Sequence, residues 1–265
     1  MQSQDICVFL PVKVTDRQWA EALLDGSVYM RSLFDFGAWN TTAKASGNAE
    51  EMNNAFRGDV HEGITRNIDP KAGDNFYNTL PPDLRNVITN AWYIDVNLFP
   101  YLKVYCLYRL TYNVSLKQFE RPDGRLKDFG DTAVIIHNPD EFLNRVLWRL
   151  YERYGDNVNF NVREVSYFDI SRDYGDFDVF CKTTFYEWQK ELRITVGLLD
   201  GSKSIIEGNG RLLKPLIQGV SPLTLDVGCI RDIATPISTD DFINLKLPQI
   251  IDVPNYDSAT SFYYD

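Results

Sequence analysis

A chain of 265 residues, 44% hydrophobic and 24% charged, has the composition of a folded globular protein whose core needs no disulfide or metal staple. Its formal net charge of −10 repels phosphate backbones and no dense Lys/Arg cluster offsets it, which excludes nucleic acid as a default partner. No run long and apolar enough for a helical membrane span occurs, and the opening MQSQDICVFLPVKV lacks the basic and apolar regions of a signal peptide, so a cytoplasmic location is expected.

Residues 6–14, ICVFLPVKV, read as a first strand interrupted by Pro11. In TDRQWAEALLDG, Thr15 followed by Gln18 is a capping-box pattern and Gly26 a stop, which predicts a helix over 15–25. SVYMRSLFDF reads as a second strand over 27–36. The stretch 37–83 is weakly patterned and rich in Asn, Gly, Ala and charge. It is expected to be a long polar insertion with a short helix at 48–56, and a further helix is expected from Pro81 to Ala91.

YLKVYCLYRLTYN (101–113) alternates as a strand with both faces partly covered, RPDGR (121–125) is a turn, and DTAVIIHN (131–138) is another strand. NPDEFLNRVLWRLYERYG predicts a helix with Asn138 as cap, Pro139 at its first position, Glu141 at its third and Gly155 as its end. Its expected buried stripe is Phe142, Val146, Leu147, Leu150 and Tyr151. VNFNVREVSYF (158–168) alternates as a strand.

YEWQKELRITV (186–196) also reads as a strand. Gln189, Glu191, Arg193 and Thr195 then share one face, and Leu192, Ile194 and Val196 share the other. Two Gly-bearing turns follow over 198–213, then a strand and a turn in PLTLDVGCIRDIA (222–234). This order argues for an α+β fold with a mixed or largely antiparallel sheet and few helices. The expected organisation is one domain over 1–235 carrying the 37–83 insertion, followed by an acidic, aromatic extension over 236–265.

The four cysteines, Cys7, Cys106, Cys181 and Cys229, are far apart and form no CxxC, which predicts reduced, buried thiols. Asp59, His61 and Glu62 could gather a cation, but no second ligand set has a recognised spacing, so no metal is expected. No GxSxG occurs, and EGNGR lacks the GK[ST] of a phosphate-binding loop.

Gln189 and Glu191 carry two readings. In the first, Glu191 and Arg193 pair with neighbours across an exposed sheet face. In the second, they belong to a site. A helix, a Gly and a hydrophobic strand, followed far downstream by Gln-x-Glu, resemble the ADP-ribosyltransferase superfamily. LLDGSVYMRSL, FRGDVHEG, YEWQKELR and LDVGCIRDI together look like an uncharacterised bacterial and phage domain family. Its patches are L-x-x-G-x-x-Y, D-x-x-E-G and Y-x-x-Q-x-E-x-R.

The resemblance implies NAD as cofactor and an oxocarbenium-like transition state stabilised by a carboxylate. It assigns that carboxylate to Glu191 and acceptor orientation to Gln189. Arg31, Tyr29, Tyr186 and Arg193 would bind the dinucleotide, with Tyr29 and Arg31 on one strand face and Ser32 on the other. It implies a bacterial or phage protein acting in phage–host conflict. A second hypothesis stands beside it: a non-catalytic phage or mobile-element protein that inhibits a host protein through an acidic, aromatic surface, as the fifteen Tyr and sixteen Phe suggest.

Overall fold

The computed structural model describes residues 7–33, 64–69, 78–79, 81–85, 91–94, 102–156, 158–198 and 222–248. The fold is α+β and its main sheet is antiparallel throughout. In chain order the elements are β1 (Cys7–Thr15), α1 (Arg17–Leu24), β2 (Ser27–Ser32), β3 (Ile64–Ile68), α2 (Pro82–Arg85), β4 (Ala91–Ile94), β5 (Leu102–Asn113) and β6 (Gln118–Phe119). A 3₁₀ turn (Gly124–Phe129) leads to β7 (Thr132–Ile136), α3 (Pro139–Tyr154), β8 (Val158–Glu164), β9 (Ser166–Phe168), β10 (Gly175–Asp176) and β11 (Cys181–Thr183). A second 3₁₀ turn (Thr184–Gln189) precedes β12 (Glu191–Leu198), β13 (Leu223–Asp226), β14 (Ala234–Ser238) and α4 (Thr239–Ile243).

Strand β5 is the spine. Its twelve residues pair with β12 along one edge and with β1, and at their other end β2, along the opposite edge. The sheet therefore forks: β8 and β12 reach β5, which hands on to β1-β7-β14 in one arm and β2-β13 in the other. Such a strand must be apolar on both sides. Tyr105 and Leu107 are buried on one face, and Val104, Tyr108 and Leu110 on the other.

The first face is covered by helices. Ala20, Leu23 and Leu24 of α1 and Phe142, Val146 and Leu150 of α3 pack on Tyr105, Leu107, Leu192, Ile194 and Val196. On the second face Val12, Tyr108, Leu110 and Ile135 meet Leu126, Phe242 and Ile243, with Tyr108 and Phe242 edge to face at 5.7 Å. Residues 236–247 are thus part of this domain: the expected boundary at 235 falls inside β14, and α4 supplies two core residues. The rest of the expected extension, 249–265, lies outside the described residues.

Several local expectations shift. The cap of α1 is Asp16 rather than Thr15, and its side chain makes no capping bond. Gly26 has φ +105, and a Cβ there would lie 2.4 Å from the Gly228 carbonyl oxygen, so both the backbone angle and the close approach demand glycine. In α3 the Asn138 side chain accepts from the Glu141 N–H, as the cap pattern predicts. The helix buries a narrower stripe than expected, because Leu147 and Tyr151 face water. Within the 37–83 stretch, residues 64–68 form β3, paired with β4 and β10. Of the helix expected from Pro81 to Ala91, Pro82–Arg85 form α2 and Ala91 belongs to β4; residues 86–90 lie outside the described residues. The helix expected at 48–56 lies outside the described residues.

Candidate functional site

The 186–196 stretch is two elements. Thr184–Gln189 is a 3₁₀ turn, Lys190 is left-handed with φ 38, and the strand begins at Glu191. Gln189 therefore does not reach the Glu191 face by strand alternation. Lys182 brings them together: its Nζ donates to Gln189 Oε1 at 2.7 Å and to Glu191 Oε2 at 3.1 Å. Arg193, two residues along β12, donates from Nε to Glu191 Oε1 at 2.5 Å and from Nη1 to the Val179 carbonyl.

Register fixes which face this is. Glu191, Arg193 and Thr195 stand opposite Tyr108, Cys106 and Val104, on the side away from α1 and α3. The chain between β8 and β12 folds back over them. Tyr167 accepts the Glu191 N–H on its hydroxyl at 2.9 Å, and the Tyr186 ring lies 4.9 Å from Lys182 Nζ. Glu191, Lys182 and Arg193 are only 6%, 5% and 1% exposed, so the polar face the alternation predicts is roofed rather than wet. Gln189 is also buried, and its Nε2 has no hydrogen-bond partner.

The electrostatics follow from that packing. Burial opposes charge on Glu191, but the Arg193 guanidinium and then the Lys182 ammonium outweigh it and hold its carboxyl below the usual carboxylate range. The neighbouring Cys106 thiol hydrogen-bonds that carboxylate, and burial, then Glu191, push it up to about 12. Burial, then Glu191, also raises the Tyr167 hydroxyl to about 12. Burial lowers Lys13, which donates to the Cys106 carbonyl at 2.8 Å. The cluster is one ionised carboxylate clamped by two cations, with neutral acids around it.

The remaining predicted residues lie apart from this knot. Arg31 stands opposite Val104 on the far side of β5, and its guanidinium lies 6.0 Å from the exposed Tyr29 ring. Four residues along β5 and two strand spacings separate it from Glu191, about 16 Å between Cα atoms. Ser32 is buried on the opposite face, as the alternation requires. Asp59, His61 and Glu62 lie outside the described residues, and among the described residues no group of His, Cys, Asp or Glu is arranged to hold a metal.

The sequence singles out Glu191, Gln189, Arg193 and Tyr186, with Lys182 as a residue that could converge on them, but does not place Tyr167 or Cys106 around the carboxylate. Cys106 was legible, since alternation in β5 puts it on a definite face; Tyr167 depends on how 165–190 folds back.

The same fold-back gives the region an outer side. In the 3₁₀ turn, Tyr186 and Gln189 point in, while Thr184, Phe185 and Glu187 point out. Phe185 is 65% exposed and meets Tyr186 edge to face at 5.0 Å. Elsewhere, a cleft of about 780 Å³ is lined by Asp16, Glu21, Asp131 and Asp240 with Arg17 and Lys127. Among the described residues no helix is long and apolar enough to cross a membrane. Comparison of the chain with protein-family models, with curated proteins and with solved structures finds no match.

Proposed function

We propose that this chain works by binding a protein partner, and that the Lys182–Gln189–Glu191–Arg193 knot is the mount on which a binding aromatic is held. The observation that carries this reading is Phe185. It stands in water on a turn whose Tyr186 and Gln189 side chains are buried, Gln189 held by Lys182. Ordering a contact residue in advance lowers the entropy cost of association, and large aromatics are common interface anchors. The exposed Glu187 beside it makes the outer side of the turn aromatic and acidic. The partner that fits is an apolar pocket with a basic rim. In the setting of phage–host conflict, this is a host protein blocked by occupation of that pocket.

The NAD-cleaving reading asks Glu191 to face a ribose. Here both its oxygens are engaged by Arg193 and Lys182 beneath a roof of protein. One comparison separates the readings: nicotinamide release and partner capture, measured on the parent, Phe185→Ala and Glu191→Gln. Partner binding predicts no release above background, and capture from host extract that Phe185→Ala abolishes without change in melting temperature. Nicotinamide release by the parent that is absent from a still-folded Glu191→Gln would overturn it.

A further inference from the structure

Among the described strands, β8 is an edge. It pairs with β12 along one side, and among the described residues no strand occupies the other. Unpaired strand edges are templates for another strand, and proteins usually guard them with Lys, Pro, a bulge or an inward charge. Residues 158–162, VNFNV, carry none of these side chains. Val158, Phe160 and Val162 are half-buried against the helix-covered core, and Asn159 and Asn161 are exposed on the opposite face, joined by a 2.7 Å hydrogen bond.

The segment VNFNV reads the same in both directions. Antiparallel pairing of two copies centred on Phe160 sets Phe160 opposite its own copy, Val158 opposite Val162 and Asn159 opposite Asn161. Apolar side chains then meet on one face and amides on the other, as an isologous two-fold contact requires.

A second observation lies on α3, which packs on both β8 and β13. Its Arg145 reaches the Cys229 carbonyl and Asp232, and Arg153 reaches the Thr224 carbonyl, so that flank faces the β13 side. The opposite flank, turned toward β8, carries Leu147 and, one turn on, Tyr151, 43% and 53% exposed. A two-fold axis normal to the sheet keeps both copies of α3 on one side and brings these flanks toward each other. Strand pairing alone is a small contact, and the exposed Leu147 and Tyr151 side chains add apolar surface beside it.

We infer that the partner at this edge is a second copy of the same chain, joined through β8 into one continuous sheet and covered by Leu147 and Tyr151 of both α3 helices. The inference is independent of the role of Phe185. Sedimentation velocity on the full chain at micromolar concentration tests it, beside Asn159→Lys/Asn161→Lys, which sets lysine opposite lysine on an exposed face and leaves the fold intact. The expected result is a dimeric parent and a variant with roughly tenfold or more weaker self-association, because like charges directly opposite destabilise a strand pair.

Oxidative cross-linking fixes the register. A mixture of Asn159→Cys and Asn161→Cys chains forms more disulfide-linked dimer than the parent, and neither variant alone does. A monomeric parent, a dimer indifferent to the lysine pair, or cross-linking by either single variant alone equal to that of the mixture overturns the proposal. An edge open to some other extended peptide gives the first of these results.

Discussion

Lys182 and Glu191 meet 3.1 Å apart inside the protein, although one is the middle residue of the short strand β11 beside β9 and the other begins a strand of the main sheet. Their contact, reinforced by Arg193, closes the 184–190 segment against the sheet. The charges stabilise only as a set, since a buried ion left without its partner bears its desolvation cost uncompensated.

The first prediction reverses what an exposed strand carboxylate would give. Glu191→Gln keeps the shape but leaves Lys182 and Arg193 facing a neutral amide, and is expected to cost about 3–5 kcal/mol. Urea denaturation of parent and variant checks it. A loss under about 1 kcal/mol, the range of a surface pair, would mean the carboxylate is not bearing this load.

Acid should act through the same group. The folded Glu191 carboxyl titrates below its ordinary value of 4.5, so the unfolded chain takes up the proton first as pH falls. Its contribution is complete above about pH 4.5 and is lost progressively below it, toward the lower folded value. Melting temperatures taken between about pH 3 and 6 should fall more steeply for the parent than for Glu191→Gln. Parallel curves would show that other carboxylates govern the acid limb.

Thiol reactivity should divide the cysteines. Cys229 is exposed and should be alkylated within minutes at mildly alkaline pH, whereas Cys106 is raised to about 12 by burial and Glu191 and should react only on unfolding. Peptide mapping after brief alkylation reads this directly. An exposed Cys229 also departs from the expectation that the thiols are buried.

Gly26→Ala should be among the most damaging small substitutions. It combines a disfavoured positive φ with a Cβ placed against the backbone of Gly228, and the cost expected is about 2 kcal/mol or more. Gly155→Ala is the control: its φ is also positive, at +61, but nothing lies within 4 Å of the added methyl. Equal losses in the two variants would leave the close approach without consequence.

Phe185→Ala should shift stability by no more than about 0.5 kcal/mol, because the ring is mostly in water. A larger loss, seen in the same urea titration, would make the ring a structural cover for Tyr186.

Much of the fold was legible because periodicity reports burial. Alternation in 102–113 and 158–164 and the caps of 139–154 translate directly into β5, β8 and α3. The knot was legible only in part. Glu191 and Arg193 are neighbours on one strand, so their shared face follows from spacing alone. Gln189 does not reach that face by alternation, since a 3₁₀ turn and a left-handed Lys190 intervene. Local spacing could not show the roof either, because Tyr167 and Val179 reach the strand through tertiary folding. Leu147 and Tyr151 misled in the other direction: they lie about 100° or more around α3 from the centre of the buried stripe Phe142, Val146 and Leu150, and so face water.

The placement of β5 has a consequence during synthesis. Strands β1 and β2 leave the ribosome first, but the strand they pair with begins at Leu102, roughly ninety residues after β1 ends at Thr15. At about 5–20 residues per second, β1 waits on the order of 5–20 s for its partner. The edge strand β8, with its unguarded VNFNV, emerges only after β5 is complete, and β12, which occupies one of its sides, follows soon after. The order of the chain thus keeps its most association-prone strand from waiting long without a neighbour of its own.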